Sequence, residues 1–159
     1  MKKWVLSRRD SLEMIKAVES SLGVSLELSR SAQASCEEPE DGVVFVHIGE
    51  MVFVKSGETF VPFLGSAAAL SLFPSATVDA GAIKFLLNGA DVMRPGIRTF
   101  DGWGDKGRTV VIREEQKARA IAVGTATVPS EEASAMTKGV CLTNVHHVGD
   151  RFWVLYKTV

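Results

Sequence analysis

Residues 59–78 run for 20 positions without a charged side chain, a length that invites a membrane-spanning reading. Pro62, Gly65 and Pro74 break the run, and Ser66, Ser71 and Ser75 lie within it. A helix interior does not accept prolines in that way. The run instead divides into a strand over 59–63 and a short helix over 66–73 that Pro74 stops, both buried. The same punctuation recurs along the whole chain. Apolar segments are short, and glycine or proline turns separate them, which favours α+β architecture with a small barrel or sandwich.

In the first half, Ser7 caps a helix, with Asp10 to complement its dipole. Leu12, Ile15, Val18 and Leu22 give that helix its apolar spacing, and Gly23 ends it. Val24, Leu26 and Leu28 alternate like a strand buried on one side. Residues 29–41 read as a polar loop, and the acidic run Glu37-Glu38-Pro39-Glu40-Asp41 reads as a solvated turn. Strands over 43–48 and 51–55 flank Gly49-Glu50, a hairpin turn of the type that takes glycine first. A second turn at Ser56-Gly57-Glu58 leads to the strand at 59–63.

In the second half, Asp79 caps a helix over 80–88, whose stripe is Ile83, Leu86 and Leu87 and whose stop is Gly89. Val92-Met93 form a short strand before Pro95-Gly96, which suit the centre of a type II turn. Strands follow over 109–113, 119–128 and 140–147. Ser130 caps a short helix over 131–136, and a last strand over 152–156 folds back across Gly149-Asp150. A break between residues 76 and 77 thus divides the 159 residues into two small units.

Charge is nearly balanced, with 18 basic and 19 acidic side chains. Residues 1–76 carry 7 Lys and Arg against 10 Asp and Glu, whereas residues 77–159 carry 11 against 9. An anionic partner therefore belongs to the second half. Cys36 and Cys141 stand far apart, as two reduced thiols of a reducing compartment would. The charges of Ser7-Arg8-Arg9-Asp10 follow the first apolar residues too soon for an export signal.

The obvious chemical motifs dissolve on inspection. Residues 102–107 match G-x-G-x-x-G, yet they lead into the β-branched run Thr109-Val110-Val111-Ile112. A dinucleotide loop must open a helix, so this one is a connection between strands. His146 and His147 are strand neighbours that point to opposite faces and cannot share an ion, and His47 lies far away in an apolar strand. All three read as structural histidines. Glu114-Glu115 and Glu131-Glu132 occupy a turn and a first helical turn, where carboxylates are ordinary. No catalytic residue, metal ligand or cofactor is expected, and a binding module is favoured over an enzyme.

Residues 78–97 are the most informative. Ala80, Gly81 and Ala82 form a first turn without bulk, and Gly89-Ala90 leave the next turn bare. Lys84, Arg94 and Arg98 surround them, a possible seat for a phosphate or ribose. Small residues also serve tight helix–sheet packing, and the residues alone support both uses.

The spacing of Asp79, Gly81, Ala82, Lys84, Gly89, Ala90, Pro95, Gly96 and Ile97 resembles the opening of a PUA domain, a small RNA-binding pseudo-barrel. Ala120-Ile121-Ala122-Val123-Gly124 and the step from Gly104-Asp105-Lys106-Gly107 into Val110-Val111-Ile112 agree with it. Residues 78–85, Lys138-Gly139-Val140 and Asn144-Val145-His146 are similar to the malignant T-cell-amplified sequence proteins and their archaeal relatives. The stretch from Val52-Phe53-Val54 through Pro62 to Phe73-Pro74 resembles their pre-PUA domain.

That resemblance implies a small α+β pre-PUA domain over 1–76 and a PUA pseudo-β-barrel with short helices over 77–159. It implies cytoplasmic, translation-associated RNA binding without catalysis, on tRNA or rRNA and the small ribosomal subunit, beside a protein with a SUI1-type domain. Contacts would fall on Lys84, Asn88, Gly89, Ala90 and Asp91, with Arg94 and Arg98 nearby and backbone N–H groups holding phosphates. The alternative is an adaptor that docks a translation factor through its N-terminal unit and touches no RNA.

Overall fold

A computed structural model describes residues 1–28 and 32–159. Contacts divide the chain into two compact units, Met1–Leu72 together with Arg151–Val159, and Phe73–Asp150. The sequence instead placed a break after residue 76 and kept 77–159 together.

In the first unit, β1 (Lys2–Val5) precedes α1 (Arg8–Leu22), and four strands follow: β2 (Ala34–Glu40), β3 (Val43–Ile48), β4 (Met51–Ser56) and β5 (Thr59–Pro62). They form one antiparallel sheet in chain order. Ser7 accepts from Asp10 N at 3.0 Å, as its capping role requires. Ser11, Ile15, Val18 and Leu22 are the buried face of α1. The Ser11 hydroxyl accepts from Ala34 N at 2.9 Å and pins the helix to β2. Ser66 caps the one-turn helix α2 (Ala67–Leu70) and also accepts from Val52 N, at 3.1 Å.

Three expectations for this unit fail. Residues 24–28 form no strand, because Glu19 takes their donors: its carbonyl accepts from Val24 N at 3.3 Å and its carboxylate from Leu26 N at 2.8 Å. Glu27 then turns to φ 49, outside the extended region. Apart from Asp41, the acidic run is not a turn either. Glu37, Glu38, Pro39 and Glu40 lie in β2, where Glu37 meets His47 and, at 3.6 Å, Lys3. A cross-strand lysine and a cross-strand imidazole partner make the Glu37 carboxylate tolerable, and Pro39 falls where the β2–β3 register shifts. Residues 29–31 of the expected loop lie outside the described residues.

The expected last strand is a helix, α5 (Arg151–Tyr156). Phe152, Trp153, Leu155 and Tyr156 pack on Val43, Phe45, Val52, Val54 and Phe63. Their i, i+1, i+3, i+4 spacing puts them on one helical face and leaves Val154 54 % exposed.

The second unit contains β6 (Ser75–Val78), α3 (Ile83–Leu86), β7 (Val92–Met93), β8 (Ile97–Phe100), β9 (Thr109–Glu114), β10 (Ala120–Ala126), α4 (Ser130–Ala135) and β11 (Val140–His147). Its mixed sheet runs β7-β11-β10-β9-β6-β8, and only β6 and β9 pair in parallel. The strands share one core that includes Val78, Leu86, Val92, Trp103, Val110 and Leu142. The small α+β barrel-like architecture expected for this half is thus present. Gly124 lies where β10 meets β11, and an added Cβ would stand 3.0 Å from the Thr143 carbonyl oxygen. Ser130 begins α4 instead of capping it, and its hydroxyl accepts from Gly104 N at 3.1 Å. Pro95-Gly96 belong to a 3-10 turn over Arg94–Gly96. Gly96 lacks the positive φ that a type II turn needs.

Candidate nucleic-acid interface

Asp79 follows β6, and its Oδ1 accepts from Ala82 N at 3.1 Å. The chain then makes a 3-10 turn over Ala80–Ala82 before the single turn of α3, so this helix is shorter than its sequence suggests. Leu86 is buried while Ile83 and Leu87 lean on the core. Phe85, on the other side, is 56 % exposed. Gly89 takes φ +90. Its N–H donates to the Leu86 carbonyl, and Ala90 N–H donates back to the Phe85 carbonyl, each at 3.0 Å. This is a six-to-one helix stop with glycine in the left-handed region.

Asn144, far away on β11, secures the loop that follows. Its side-chain N–H groups donate to the Leu86 and Ala90 carbonyls, each at 3.0 Å, and its main-chain N–H donates to Asp91 Oδ1 at 2.9 Å. Gly89, Ala90 and Asp91 are exposed, and a Cβ on Gly89 would meet only His147 Nε2, at 3.8 Å. The His147 Nδ1 pairs with the Val148 carbonyl at 2.9 Å, which leaves Nε2 beside the loop. His146, its strand neighbour, is fully buried and meets Asp150 at 2.9 Å.

Beside this shelf lies a cavity of about 330 Å³ between α3, the loop and β7. Val78, Ala82, Leu86 and Val92 form its inner wall, and Phe85 and Met93, 56 % and 47 % exposed, form its rim. The lining is mainly apolar and the volume lies at the small end of the usual range for ligand sites.

The structure thus brings Lys84, Asn88, Gly89, Ala90 and Asp91 together on one surface but alters their roles. Among the described residues, Lys84 makes no ion pair; its ammonium lies 5.1 Å from the Phe85 ring centroid. The Asn88 amide donates to the Lys84 carbonyl at 2.9 Å. Both aspartates serve the fold, Asp79 as a cap and Asp91 as the acceptor for Asn144. Arg94 is partly buried, with Nε donating to the Ala133 carbonyl at 2.7 Å and Nη1 to that of Ile97 at 3.3 Å. Arg98 pairs with Glu115 at 3.3 Å on an exposed surface, an interaction weak enough to exchange. The expected cradle of backbone N–H groups fails at Gly89 and Ala90, whose donors close the helix. What remains is a bare surface beside an apolar pocket. The sequence reading gives Phe85, Met93 and His147 no binding role, although the exposed position of Phe85 follows from a stripe of Ile83, Leu86 and Leu87.

The G-x-G-x-x-G loop lies between β8 and β9, with Trp103 buried and its indole N–H donating to the Val128 carbonyl at 2.9 Å. It opens no helix. Burial raises both thiols above their ordinary pKa. No helix among the described residues is long and apolar enough to cross a membrane.

The family model described as PUA domain matches residues 74–148. Translation machinery-associated protein 20 of Saccharomyces cerevisiae is 31 % identical over 135 residues, covering 79 % of this chain and 74 % of that protein. The Drosophila melanogaster homologue of malignant T-cell-amplified sequence 1 is 34 % identical over 112 residues, covering 66 % and 60 %. The chain belongs to this family of PUA-domain proteins. Among solved structures, a hypothetical protein of Pyrococcus horikoshii superposes with a TM-score of 0.76 at 25 % identity, over 97 % of this chain and 99 % of that one. The bare loop and its pocket lie inside the residues that match the PUA model.

Proposed function

We propose that the chain is a non-catalytic RNA-binding protein of the translation apparatus that holds an unpaired nucleotide of a structured RNA. One base enters the pocket between Phe85 and Met93, its sugar lies across Gly89-Ala90, and Lys84 meets an adjacent phosphate. Asn88, Asp91 and Asn144 hold the shelf in shape, Arg94 is a strut between α4 and β8, and Arg98 reaches a second phosphate by leaving Glu115. The observation that carries this reading is an exposed, small-residue shelf beside an apolar cavity with an aromatic rim, since RNA is commonly read through splayed bases that stack on such side chains. The names of the relatives support a place in translation. The target would be a tRNA end or an rRNA element of the small subunit in the cytoplasm, with a SUI1-type protein as partner. The first unit, expected over 1–76 and observed as Met1–Leu72 with Arg151–Val159, would act as the pre-PUA domain.

Fluorescence anisotropy with labelled tRNA tests the site. Stacking is worth about 1–3 kcal/mol per base, so Phe85→Ala should weaken binding by about five- to a hundredfold with the melting temperature held. Equal affinity of Phe85→Ala and the parent protein would remove the pocket from the interface. Binding of a translation factor with no affinity for tRNA or small subunits would favour the adaptor reading, for which the exposed Trp4 and Val5 of β1 are the available surface.

A further inference from the structure

The net charge of residues 1–76 conceals a strong separation along the chain. Residues 1–16 carry five Lys and Arg against two acids, whereas residues 17–76 carry two against eight. Three of those five cations, Arg8, Arg9 and Lys16, lie on α1 and are exposed. They border one shallow depression together with Leu12 and Glu13. At 100° per residue, Arg9 and Lys16 fall opposite the buried Ser11, Ile15, Val18 and Leu22, with Arg8 at the edge of that face. Neutralisation is slight. Arg9 meets Glu13 at 3.7 Å on an exposed surface, and among the described residues Arg8 and Lys16 make no ion pair. Arg8 and Arg9 also occupy the first turn of a 15-residue helix, where the macrodipole disfavours cations. Helix stability therefore does not account for their placement.

We infer that this face of α1 is a second, sequence-independent RNA contact that binds phosphodiester groups and is separate from the nucleotide pocket. The inference rests on the RNA-binding reading above, which makes a phosphodiester strand the available polyanion. The cations span about 12 Å along the helix, enough for successive groups of a strand but too extended for a single anion. An anionic membrane fits less well, because Leu12, already half-buried, is the only apolar side chain bordering the depression.

The test uses the full chain with the triple variant Arg8→Ala, Arg9→Ala, Lys16→Ala, and titrates labelled oligouridylate at several salt concentrations. Each phosphate contact on a single strand adds about −0.7 to the log–log salt slope, so the variant should lose about 2 from it and up to a hundredfold in affinity at 0.1 M salt. Its melting temperature should hold or rise, and the Arg8→Lys, Arg9→Lys variant should keep the parent slope. An unchanged slope in the triple variant overturns the inference. So does a loss confined to phosphatidylserine vesicles or polyglutamate. Phe85→Ala separates the two readings, since it should weaken binding and leave the slope intact. If Phe85→Ala has no effect while the triple variant loses its slope, the pocket falls and the α1 contact stands. No RNA binding by the parent chain overturns both.

Discussion

The helices α1 and α3 use the same three devices and end in different surroundings. A side chain caps the entry to each, Ser7 at α1 and Asp79 at the 3-10 turn that leads into α3; each turns an apolar stripe to a core and ends near a left-handed glycine. After α1, a Cβ built on Gly23 would meet no atom within 4 Å. After α3, Asn144 fixes the loop in place through the carbonyls of Leu86 and Ala90. A helix stop alone is only a terminator. It becomes a candidate binding shelf where a residue from a distant strand holds the chain that follows it.

The largest effect should come from breaking that fixation. Asn144→Leu leaves two carbonyls without their donor, at about 1–3 kcal/mol each where they are shielded from water. Thermal melting should detect the loss, and tRNA affinity should fall with it. An Asn144→Leu protein with parental stability and affinity would mean that the loop holds itself.

The two glycines give a sharper contrast. Gly23→Ala and Gly89→Ala each force a Cβ into the left-handed region and should cost a similar 1–2 kcal/mol or so. Only Gly89→Ala should also reduce RNA affinity, because only that glycine lies in the proposed binding shelf. Equal binding by the two variants would separate the shelf from function.

The smallest effect is electrostatic and lies away from the shelf. The Glu114 carboxyl is held below the usual carboxylate range, chiefly by the N–H of Lys117 and then by Arg119. Its contribution to stability is present above the unfolded pKa and lost as pH falls through the folded one. Glu114→Gln should flatten the acid limb of a melting-temperature profile and leave neutral-pH RNA binding unchanged.

Local signals carried most of what was legible. Ser7, Asp79, Gly89 and the Gly49-Glu50 hairpin all act within a few residues, and each feature appears where its chemistry predicts. The failures have non-local causes. Glu37 can sit in a strand because Lys3 and His47 approach from other strands. Residues 24–28 are the exception, losing strand pairing to Glu19, only a few positions back in α1. The run Phe152-Trp153-Val154-Leu155-Tyr156 carries no alternation that would separate strand from helix, and the sheet face it covers decides the matter. Arg94 looked like a free cation because the carbonyl that binds its Nε belongs to Ala133, 39 residues away. Lys84, Asn88, Gly89, Ala90 and Asp91 were readable as a group, whereas the use of their donors was not.

Amide chemical shifts of the full chain, followed as unlabelled tRNA is added, address the central claim most directly. The account predicts the largest perturbations at residues 84–93 and His147, with saturable binding. Saturation without any change at Phe85, Gly89 and Ala90 would contradict it.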